Sequence, residues 1–375
     1  MKKVVIAIDS FKGCLPSAEA GKAAAEGIRS VYPECEVICL PIADGGEGML
    51  DVLIMATNGQ EVPISAHDPL MRWRNTYYGI SENGETAFIE MASISGLPLV
   101  PPERRNPMLT TTYGTGEIIR DALERGCRNF IIGIGGSATN DAGLGMLQAL
   151  GFRFSDKEGK EVGTGRGEVL IKVAHIDSTF VHPALNSCRF TVVCDVQNPF
   201  YGPEGAAYVF APQKGADREM VEALDAGLQN FAEVIRHTTG KDISHHPGAG
   251  AAGGMGGSLL AFLNAELKPG IQLMLEALDF SNKIKSADLI ITGEGKADRQ
   301  TLMGKVPSGI LAEARKQHIP VILLAGNIED SDELQQAGFE GVFSVNPPFI
   351  SLEEAMRPEV ARKNIQQTVE SICKK

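Results

Sequence analysis

The chain has 375 residues, of which 43% are hydrophobic and 22% are charged, and its formal net charge is −12. This composition is that of a folded globular protein, and the length predicts two domains. The negative charge disfavours nucleic acid as a partner because binding a polyanion requires a basic surface, but a local pocket can still hold a small phosphorylated ligand.

Cysteine usage and the N-terminus indicate the expected compartment. The seven cysteines show neither CxxC spacing nor an even disulfide framework, so we expect reduced, mostly buried thiols. The short apolar run after Lys2 and Lys3 has no cleavage site behind it and predicts a first strand rather than a signal peptide. Since no segment reaches the roughly 18 to 20 unbroken apolar residues that span a membrane, we expect a cytoplasmic protein without a membrane partner.

Strands and helices are predicted to alternate at both ends of the chain. Near the N-terminus the predicted strands are 4–8 and 35–40, and the predicted helices are 17–31 and 48–55. Near the C-terminus the predicted strands are 289–291, 321–324 and 341–344, and the predicted helices are 307–317, 332–337 and 352–373. This alternation is typical of a parallel α/β sheet.

The middle of the chain has a different pattern. Its predicted strands are 75–80, 85–91, 130–134 and 189–193, and its predicted helices are 115–125 and 217–237. We therefore predict an α/β fold of two α/β domains. Residues 1–68 and 281–375 form a doubly wound, Rossmann-like parallel-sheet domain, and residues 69–280 form a second, mixed α/β domain inserted into it.

The first predicted strand ends at Asp9, Ser10 and Lys12. Open α/β sheets bind their ligands at the carboxyl ends of the strands. Lys12 is therefore a candidate partner for a phosphate or a substrate carboxylate, and Asp9 for Mg²⁺ or a substrate hydroxyl. The alternative is that Asp9 only caps the turn and Lys12 is solvated.

The second predicted strand ends in ADGGEG at 43–48, where Asp44 and Glu47 flank two glycines before a helix. One interpretation is that the two acids do no more than cap the helix. Capping does not require three glycines in four positions, however, and these indicate a close approach of the backbone to a ligand.

Residues 131–146 join an apolar strand to a helix through a glycine-rich turn. Gly133, Gly135 and Gly136 allow positive φ angles and close backbone approach to an oxyanion, and Ser137 adds a hydroxyl donor. We expect the following helix to present its first N–H groups to the same ligand. The alternative is that the glycines only pack a helix tightly on a sheet.

The same turn contains Thr139, Asn140 and Asp141. Thr139 is a second hydroxyl donor. Asn140 and Asp141 occupy positions suited to a helix N-cap or to a metal ligand, and local sequence does not choose between these roles.

Two further strand ends carry acidic side chains. Asp195, in the segment CDVQNP that also holds Asn198, is a candidate general base or metal ligand, or a residue that only forms an Asx-turn. The segment TGEGKAD at 292–298 contains Glu294, Lys296 and Asp298 and is predicted to be a turn after a strand. Several acidic loops of this kind would repel one another without a cation, and Mg²⁺ on a nucleotide would supply it, which favours phosphoryl transfer.

Other enzyme classes lack their motifs in this sequence. There is no GxxxxGK[ST] of a P-loop enzyme, and no GxGxxG follows the first strand as in a dinucleotide oxidoreductase. The seven histidines form no zinc-binding pattern, and the GxSxG of an α/β hydrolase is missing.

Seven sequence blocks, taken together, resemble the type-1 bacterial glycerate kinase family. They are DSFKG at 9–13, ADGGEG at 43–48, TTYGTGE at 111–117, GIGGSATNDAGLG at 133–145, CDVQNP at 194–199, GAGAAGG at 248–254 and TGEGKAD at 292–298. The resemblance covers nearly the whole chain in order. It implies transfer of the γ-phosphoryl group of ATP to D-glycerate, with Mg²⁺, in a cleft between two α/β domains, most often giving 2-phosphoglycerate. Two alternatives remain: 3-phosphoglycerate as the product, and a non-catalytic sensor of sugar acids or nucleotides.

The resemblance and the motifs together predict a role for each candidate residue. The candidate nucleotide contacts are Gly135, Gly136, Ser137, Thr139, Asn140 and Lys296. The candidate metal ligands are Asp44, Glu294 and Asp298. The candidate catalytic residues are Asp195 as the base, with Lys12 and Asp44. The candidate substrate contacts are Asp9, Ser10, Lys12 and Asn198. These roles require Asp44, Asp195 and Glu294 to meet around one magnesium–triphosphate, and they leave both a monomer and a homodimer open.

Overall fold

A computed structural model describes residues 1–46 and 48–374. The chain divides into two compact units. The terminal unit contains Met1–Val52 and Pro269–Lys375, and the middle unit contains Leu53–Lys268. The middle unit is therefore an insertion between the two parts of the terminal unit.

The described residues form strands and helices along the whole chain. The strands are β1 (Lys3–Ile8), β2 (Glu36–Cys39), β3 (Gln60–His67), β4 (Trp73–Ile80), β5 (Thr86–Glu90), β6 (Asn129–Gly133), β7 (Arg153–Ser155), β8 (His175–Asp177), β9 (Arg189–Val193), β10 (Glu266–Lys268), β11 (Leu289–Ala297), β12 (Val321–Ile328) and β13 (Gly341–Ser344). The α-helices are α1 (Ser17–Val31), α2 (Met49–Ala56), α3 (Ala92–Ser95), α4 (Tyr113–Glu124), α5 (Leu144–Ala149), α6 (Ala206–Phe210), α7 (Arg218–Thr239), α8 (Met255–Leu263), α9 (Gly270–Ala277), α10 (Phe280–Lys283), α11 (Val306–Lys316), α12 (Ser331–Gln336), α13 (Leu352–Ala355) and α14 (Pro358–Cys373). Short 3₁₀ helices lie at Leu97–Leu99, Pro102–Arg104, Gly167–Lys172, Pro183–Ser187, Pro212–Lys214 and Arg299–Leu302.

The sheet of the terminal unit is parallel and has the strand order β13-β12-β11-β1-β2. Val4, Ile6 and Ile8 of β1 pack on one face in a core shared with α1 and α14. Val5 and Ala7 are also fully buried, and strand alternation directs them to the other face. The apolar run of β1 is therefore covered on both faces, as is usual for a parallel sheet.

The strand order of this sheet reverses between β1 and β11. The chain passes from β1 to β2 on one side and then returns to β11 on the other side of β1. In open α/β sheets, the crevice at such a reversal, at the carboxyl ends of the strands, is where ligands bind.

Small residues bring α1 close to α14. A Cβ atom on Gly27 would lie 2.5 Å from the backbone oxygen of Gln366. The alanine-rich, buried face of α1 continues this close packing. The small residues of α1 therefore allow close packing on two sides, with Gly27 against α14 and Gly21 against Ile6 and Cys39 of the sheet.

The middle unit contains a mixed sheet of order β10-β9-β6-β5-β4-β3. Neighbours from β10 to β5 are parallel, whereas β4 pairs antiparallel with both β5 and β3. Phe130 and Phe190, on adjacent strands, stack with their ring centroids 4.7 Å apart in the core. The strands β7 and β8 form a separate antiparallel pair.

The predicted fold class is confirmed: a doubly wound parallel sheet and an inserted mixed α/β unit. The prediction of a single helix over 352–373 is wrong, because this segment forms two helices, α13 and α14. Pro358 begins the second helix, since proline cannot continue a preceding one. The strand predicted at 289–291 extends to Ala297 because its later residues keep pairing with β12. The strand β3 was not predicted, since Pro63 and polar residues interrupt any strand pattern there.

Two sequence expectations bear on the chain as a whole. The domain limits predicted at 68/69 and 280/281 stay predictions. Among the described residues, no helix combines the length and apolar character that crossing a membrane requires.

Candidate functional site

Charged side chains gather at the carboxyl ends of β1 and β11, where the strand order of the terminal unit reverses. A cavity of about 390 Å³ opens there, and we call it the terminal-unit cavity. Its volume lies within the usual range of small-ligand pockets. It is lined by Asp9, Ser10, Phe11, Lys12, Cys14, Asp44, Glu294, Gly295, Lys296, Lys305, Asn327, Val345, Asn346, Leu352, Ala355, Met356 and Ala361.

Asp9 lies directly after β1 and is only 6% exposed. Its Oδ1 atom accepts a hydrogen bond of 2.7 Å from the Ser10 N–H. Burial, followed by repulsion from Asp44, raises the pKa of Asp9 to about 7. This carboxyl group can therefore exchange a proton near neutral pH, and a cation in the cavity would favour its charged form.

Asp44 lies in a tightly packed turn between β2 and α2. Its Oδ1 atom accepts a hydrogen bond of 3.0 Å from the Gly46 N–H. Gly270, at the start of α9, packs on the same turn, and a Cβ atom there would lie 1.9 Å from the Asp44 backbone oxygen. These contacts fix the Asp44 backbone beside the cavity. Glu47, the second acid predicted in this turn, lies outside the described residues.

Glu294 lies on β11 and is 7% exposed. Its Oε2 atom is 3.5 Å from Lys305 Nζ, whereas its Oε1 atom is buried and has no hydrogen-bond partner among the described residues. Desolvation raises the pKa of Glu294, and Thr301 and Lys305 oppose this rise. Since an unsatisfied buried polar group costs about 1–3 kcal/mol, and more when charged, a cation or donor bound in the cavity would stabilise Glu294.

Two other lysines of the cavity form exposed ion pairs. Lys12 Nζ lies 3.7 Å from Asp44 Oδ2, with 65% of the lysine side chain exposed. Lys296 Nζ lies 3.0 Å from Glu329 and 3.5 Å from Asp298. Because exposed ion pairs contribute little to stability, these lysines can exchange their partners for a phosphate or carboxylate at small cost.

The prediction that 292–298 forms a turn is wrong. Glu294 and Lys296 belong to β11, where they pair in register with Ala325 and Asn327 of β12. Asp298 caps the short helix that follows, since its side chain accepts a hydrogen bond of 2.8 Å from the Gln300 N–H. This capping accounts for the position of Asp298, and its role as a metal ligand stays a prediction.

In the middle unit, the glycine-rich turn follows β6. Gly135 and Gly136 are exposed, and Gly136 has a φ of +70°, which glycine adopts readily. Ser137 is buried, and its Oγ atom accepts a hydrogen bond of 2.8 Å from Lys214 Nζ. The same ammonium group donates to the Thr139 backbone oxygen at 2.7 Å.

Lys214 was not predicted to be part of any site. It is 2% exposed, and desolvation lowers its pKa to about 7, although Asp141 opposes this change. It follows Pro212 and Gln213 in a short 3₁₀ helix, and this local sequence carries no motif. Its partner Ser137 lies 77 residues earlier in the chain, so only the folded structure connects the two.

Asp141 is a fully buried structural residue. Its oxygens accept hydrogen bonds from the N–H and hydroxyl of Thr112, both at 2.8 Å, and from the N–H groups of Gly143 and Gly145 at 3.1 and 3.2 Å. The N–H of Met146 donates to Thr112. The prediction that the first N–H groups of this helix face a ligand is therefore wrong for Gly145 and Met146, because Asp141 and Thr112 already accept from them.

Two neighbours of Asp141 carry polar atoms without partners. Thr139 Oγ1 and both side-chain polar atoms of Asn140 are buried and lack a hydrogen-bond partner among the described residues. Ordered water or a ligand usually satisfies such groups. Their predicted contact with a nucleotide stays a prediction.

Asp195 follows β9, which pairs in parallel with β6 so that Val193 is in register with Gly133. Asp195 and the glycine-rich turn therefore follow neighbouring strands at the same edge of the middle sheet. The Asp195 side chain is exposed. Asn198 holds its own loop together, since its Nδ2 donates a hydrogen bond of 2.8 Å to the Glu204 backbone oxygen.

Apart from Asp298, which caps the helix after β11, the predicted site residues thus fall into two sets. The set that lines the terminal-unit cavity is Asp9, Ser10, Lys12, Asp44, Glu294 and Lys296. The set in the middle unit is Gly135, Gly136, Ser137, Thr139, Asn140, Asp195 and Asn198. The meeting of Asp44, Asp195 and Glu294 around one nucleotide stays a prediction.

The cavity offers few donor groups for a metal ion. Within residues 1–46 and 48–374, no three His, Cys, Asp or Glu side chains are placed to hold a metal by themselves. Mg²⁺ carried on phosphates needs only one or two carboxylates from the protein. The unpartnered oxygen of Glu294 and the neighbouring Asp44 are donors of this kind, so the cavity fits Mg²⁺ that arrives on a polyphosphate.

Comparison with known proteins gives a consistent result. A family model described as the glycerate kinase family matches residues 4–375. Glycerate 2-kinase of Escherichia coli K12 is 48% identical over 356 residues, which cover 95% of this chain and 93% of the relative. Glycerate kinase of Bacillus subtilis 168 is 46% identical over 372 residues, which cover 99% of this chain and 97% of the relative.

A solved structure is also similar to this chain. The crystal structure of a protein described as glycerate kinase 2 from Salmonella typhimurium LT2 matches with a TM-score of 0.90 and 43% sequence identity. The match covers 100% of this chain and 97% of the other. The family resemblance drawn from the seven sequence blocks is confirmed.

Proposed function

This chain belongs to the glycerate kinase family, and we propose that it transfers the γ-phosphoryl group of ATP to D-glycerate, with Mg²⁺ on the nucleotide and 2-phospho-D-glycerate as the product. One observation carries the proposal. The terminal-unit cavity combines three carboxyl groups with three lysines at the reversal of strand order. This combination suits a polyanion that carries a divalent cation.

Phosphoryl transfer depends on alignment and charge neutralisation more than on covalent help from the protein. Lys12, Lys296 and Lys305 bring positive charge to the cavity, and we assign them to the phosphates and to the carboxylate of glycerate. Asp44 and Glu294 would hold Mg²⁺, which neutralises charge on the phosphates when bound.

The attacking hydroxyl of glycerate must also lose its proton. In the proposed step the hydroxyl oxygen forms a bond to the γ-phosphorus while the bond from that phosphorus to the ADP oxygen breaks. A carboxylate oxygen of Asp195 accepts the proton. General-base help of this kind contributes about 10²- to 10⁴-fold to the rate.

The test is to incubate the purified protein with ATP, Mg²⁺ and D-glycerate, to follow ADP formation, and to identify the product by NMR. We expect ADP only when D-glycerate and Mg²⁺ are both present, and a product whose phosphorus signal is split into a doublet by the single hydrogen on C2. A triplet from the two hydrogens on C3 would correct the product to 3-phosphoglycerate. Binding of D-glycerate without ADP formation would overturn the kinase proposal in favour of a sensor.

A pair of variants tests the metal assignment. Glu294→Gln removes the carboxylate with the unpartnered oxygen, and we expect the Mg²⁺ concentration for half-maximal rate to rise. Glu340→Gln changes an exposed residue outside the cavity and should leave that concentration unchanged. Equal Mg²⁺ dependence in the two variants would contradict the assignment of Glu294.

A further inference from the structure

The terminal-unit cavity has two chemically different halves. Its polar half is formed by carboxylates and lysines at the ends of β1, β2 and β11. Its other half is mostly apolar and contains Phe11, Cys14, Val345, Leu352, Ala355 and Met356, and the amides Asn327 and Asn346 also line the cavity. D-Glycerate is a three-carbon hydroxy acid and has no apolar surface that could cover the second half.

The walls of the apolar half come from the turn after β1 and from the segment around α13. The Met356 Cε atom would lie 3.4 Å from a Cβ atom placed on Gly13. Cys14 Sγ lies 3.9 Å from the Ala355 backbone oxygen. The two walls therefore contact each other directly, although they are separated by more than 300 residues in sequence.

Phe11 packs closely on the sheet because two glycines there leave room for it. A Cβ atom on Gly326 would lie 3.6 Å from the Phe11 ring, and one on Gly295 would lie 3.5 Å from the Phe11 Cα atom. The Phe11 side chain is buried. The ring therefore packs over the ends of β11 and β12 and gives the cavity a fixed apolar floor.

Large apolar side chains are exposed at the mouth of this half. Leu352 is 79% exposed and Met356 is 38% exposed. Apolar groups clustered in this way beside a cavity are typical of ligand-binding surfaces. A flat apolar group bound against Leu352 and Met356 would remove these two side chains from water.

The cavity extends along the carboxyl edge of the sheet, from the turn after β1 to the segment after β13. Asp9 follows β1 and Val345 follows β13, which is three strands away in the sheet. Three spacings of about 4.8 Å correspond to about 14 Å. The cavity therefore suits an elongated ligand with a charged end and a flat, apolar end.

We propose that the apolar half of the terminal-unit cavity binds the purine base of ATP, while the polar half binds its phosphates. The inference rests on the proposed function, because it decides which of the two substrates of that reaction occupies this cavity. Asp9, Ser10 and Lys12 then contact the phosphate end of the nucleotide instead of glycerate. The unpartnered oxygen of Glu294 lies at the same end.

A rim variant tests the base site by calorimetry. Met356→Asp places a charge where the base would lie, and Met55→Asp is the matched control because Met55 is 53% exposed and lies outside the cavity. We expect Met356→Asp to raise the Kd for ADP about tenfold or more, since an apolar contact is lost and the uncharged base would bury an unpaired carboxylate. Met55→Asp should leave it unchanged. The Kd for tripolyphosphate, which lacks a base, should be the same in all three proteins.

Photolabelling of the wild-type protein gives a measurement that does not depend on variant folding. Irradiation with 8-azido-ADP should label peptides that contain 11–14 or 352–356. Label confined to the middle unit would overturn the inference, as would an unchanged Kd for ADP in Met356→Asp or an equal loss of ADP and tripolyphosphate binding. If wild-type protein forms no ADP from ATP and D-glycerate, the proposed function itself fails; if it does, only the placement of the base is at stake.

Discussion

Lys214 Nζ donates a hydrogen bond of 2.8 Å to Ser137 Oγ beneath the glycine-rich turn of the middle unit. A second hydrogen bond joins the same ammonium group to the Thr139 backbone oxygen. Both acceptors belong to the segment predicted to contact the nucleotide phosphates. Because Lys214 is almost completely buried, we interpret it as a positioning residue that fixes this segment.

The first prediction concerns the anchoring of that segment. Lys214→Met keeps an unbranched side chain but removes the donor, so Ser137 and Thr139 lose their anchor. We expect kcat/KM for ATP to fall by about 10- to 100-fold, because small displacements of contacting groups are costly in catalysis. Steady-state kinetics with varied ATP measures this.

Lys241→Met is the matched control for that variant. Lys241 is a partly buried lysine of the same unit, and its Nζ atom donates to the backbone oxygens of Leu260 and Ala261 at the end of α8. We expect this variant to melt at a lower temperature but to keep its kcat/KM for ATP. Equal kinetic losses in the two variants would show that Lys214 supports only the fold.

The second prediction concerns the pH dependence of stability in the absence of nucleotide and Mg²⁺. Burial first, and Asp44 second, raise the pKa of Asp9 to about 7, so the folded state holds more protons than the unfolded state between about pH 4 and pH 7. Stability from this group is present at low pH and is lost as the pH rises, at up to about 1.4 kcal/mol per pH unit. Asp9→Asn removes this loss. The melting temperature of Asp9→Asn minus that of the wild type should therefore be larger at pH 8 than at pH 5.

Asp177→Asn provides a contrast for Asp9. Asp177 is exposed, and the hydroxyl and N–H of Thr179 lower its pKa. A lowered pKa gives stability that is lost only as the pH falls through that pKa, so the effect of this substitution should be the same at pH 5 and pH 8. If Asp9→Asn also shows no difference between these pH values, Asp9 is not held in an unfavourable charged state.

Much of the fold was predictable because its signals are local. The apolar run of Val4 to Ile8 and the alanine-rich helix after it form β1 and α1 as expected. Asp9 could be selected because it comes directly after the apolar strand β1, and Asp44 because it lies in the glycine-rich turn that follows β2. The strand β3 is polar and, among the described strands, pairs only with β4 in the sheet, so its sequence carries no apolar run that would predict a strand.

The rest of the site could not be predicted because its contacts are remote in sequence. Lys305 is 11 residues from its partner Glu294, and Lys214 is 77 residues from Ser137. The packing of Met356 beside Gly13 joins the two ends of the chain. Such pairs depend on the order of strands in the sheet, which periodicity and motifs do not determine.

The third prediction concerns the proposed base. Asp195→Asn keeps the size of the side chain but removes its ability to accept a proton. We expect kcat to fall by about 10²-fold or more with a smaller change in KM. Asp242→Asn, at an exposed aspartate of the same unit, should leave kcat unchanged. Near-normal turnover in Asp195→Asn would remove it from this role and make Asp9 the next carboxyl group to test.

The fourth prediction compares two glycines of α1. A Cβ atom on Gly21 meets only side-chain carbons at 3.8 and 3.9 Å, whereas one on Gly27 would lie 2.5 Å from the Gln366 backbone oxygen. Gly21→Ala should therefore stabilise the protein by about 0.4–1 kcal/mol, since alanine favours the helix. Gly27→Ala should destabilise it by about 1–3 kcal/mol, because α1 and α14 would have to separate. Melting temperatures that move in opposite directions would support this packing, and a rise in both variants would show that α14 yields to the added methyl group without cost.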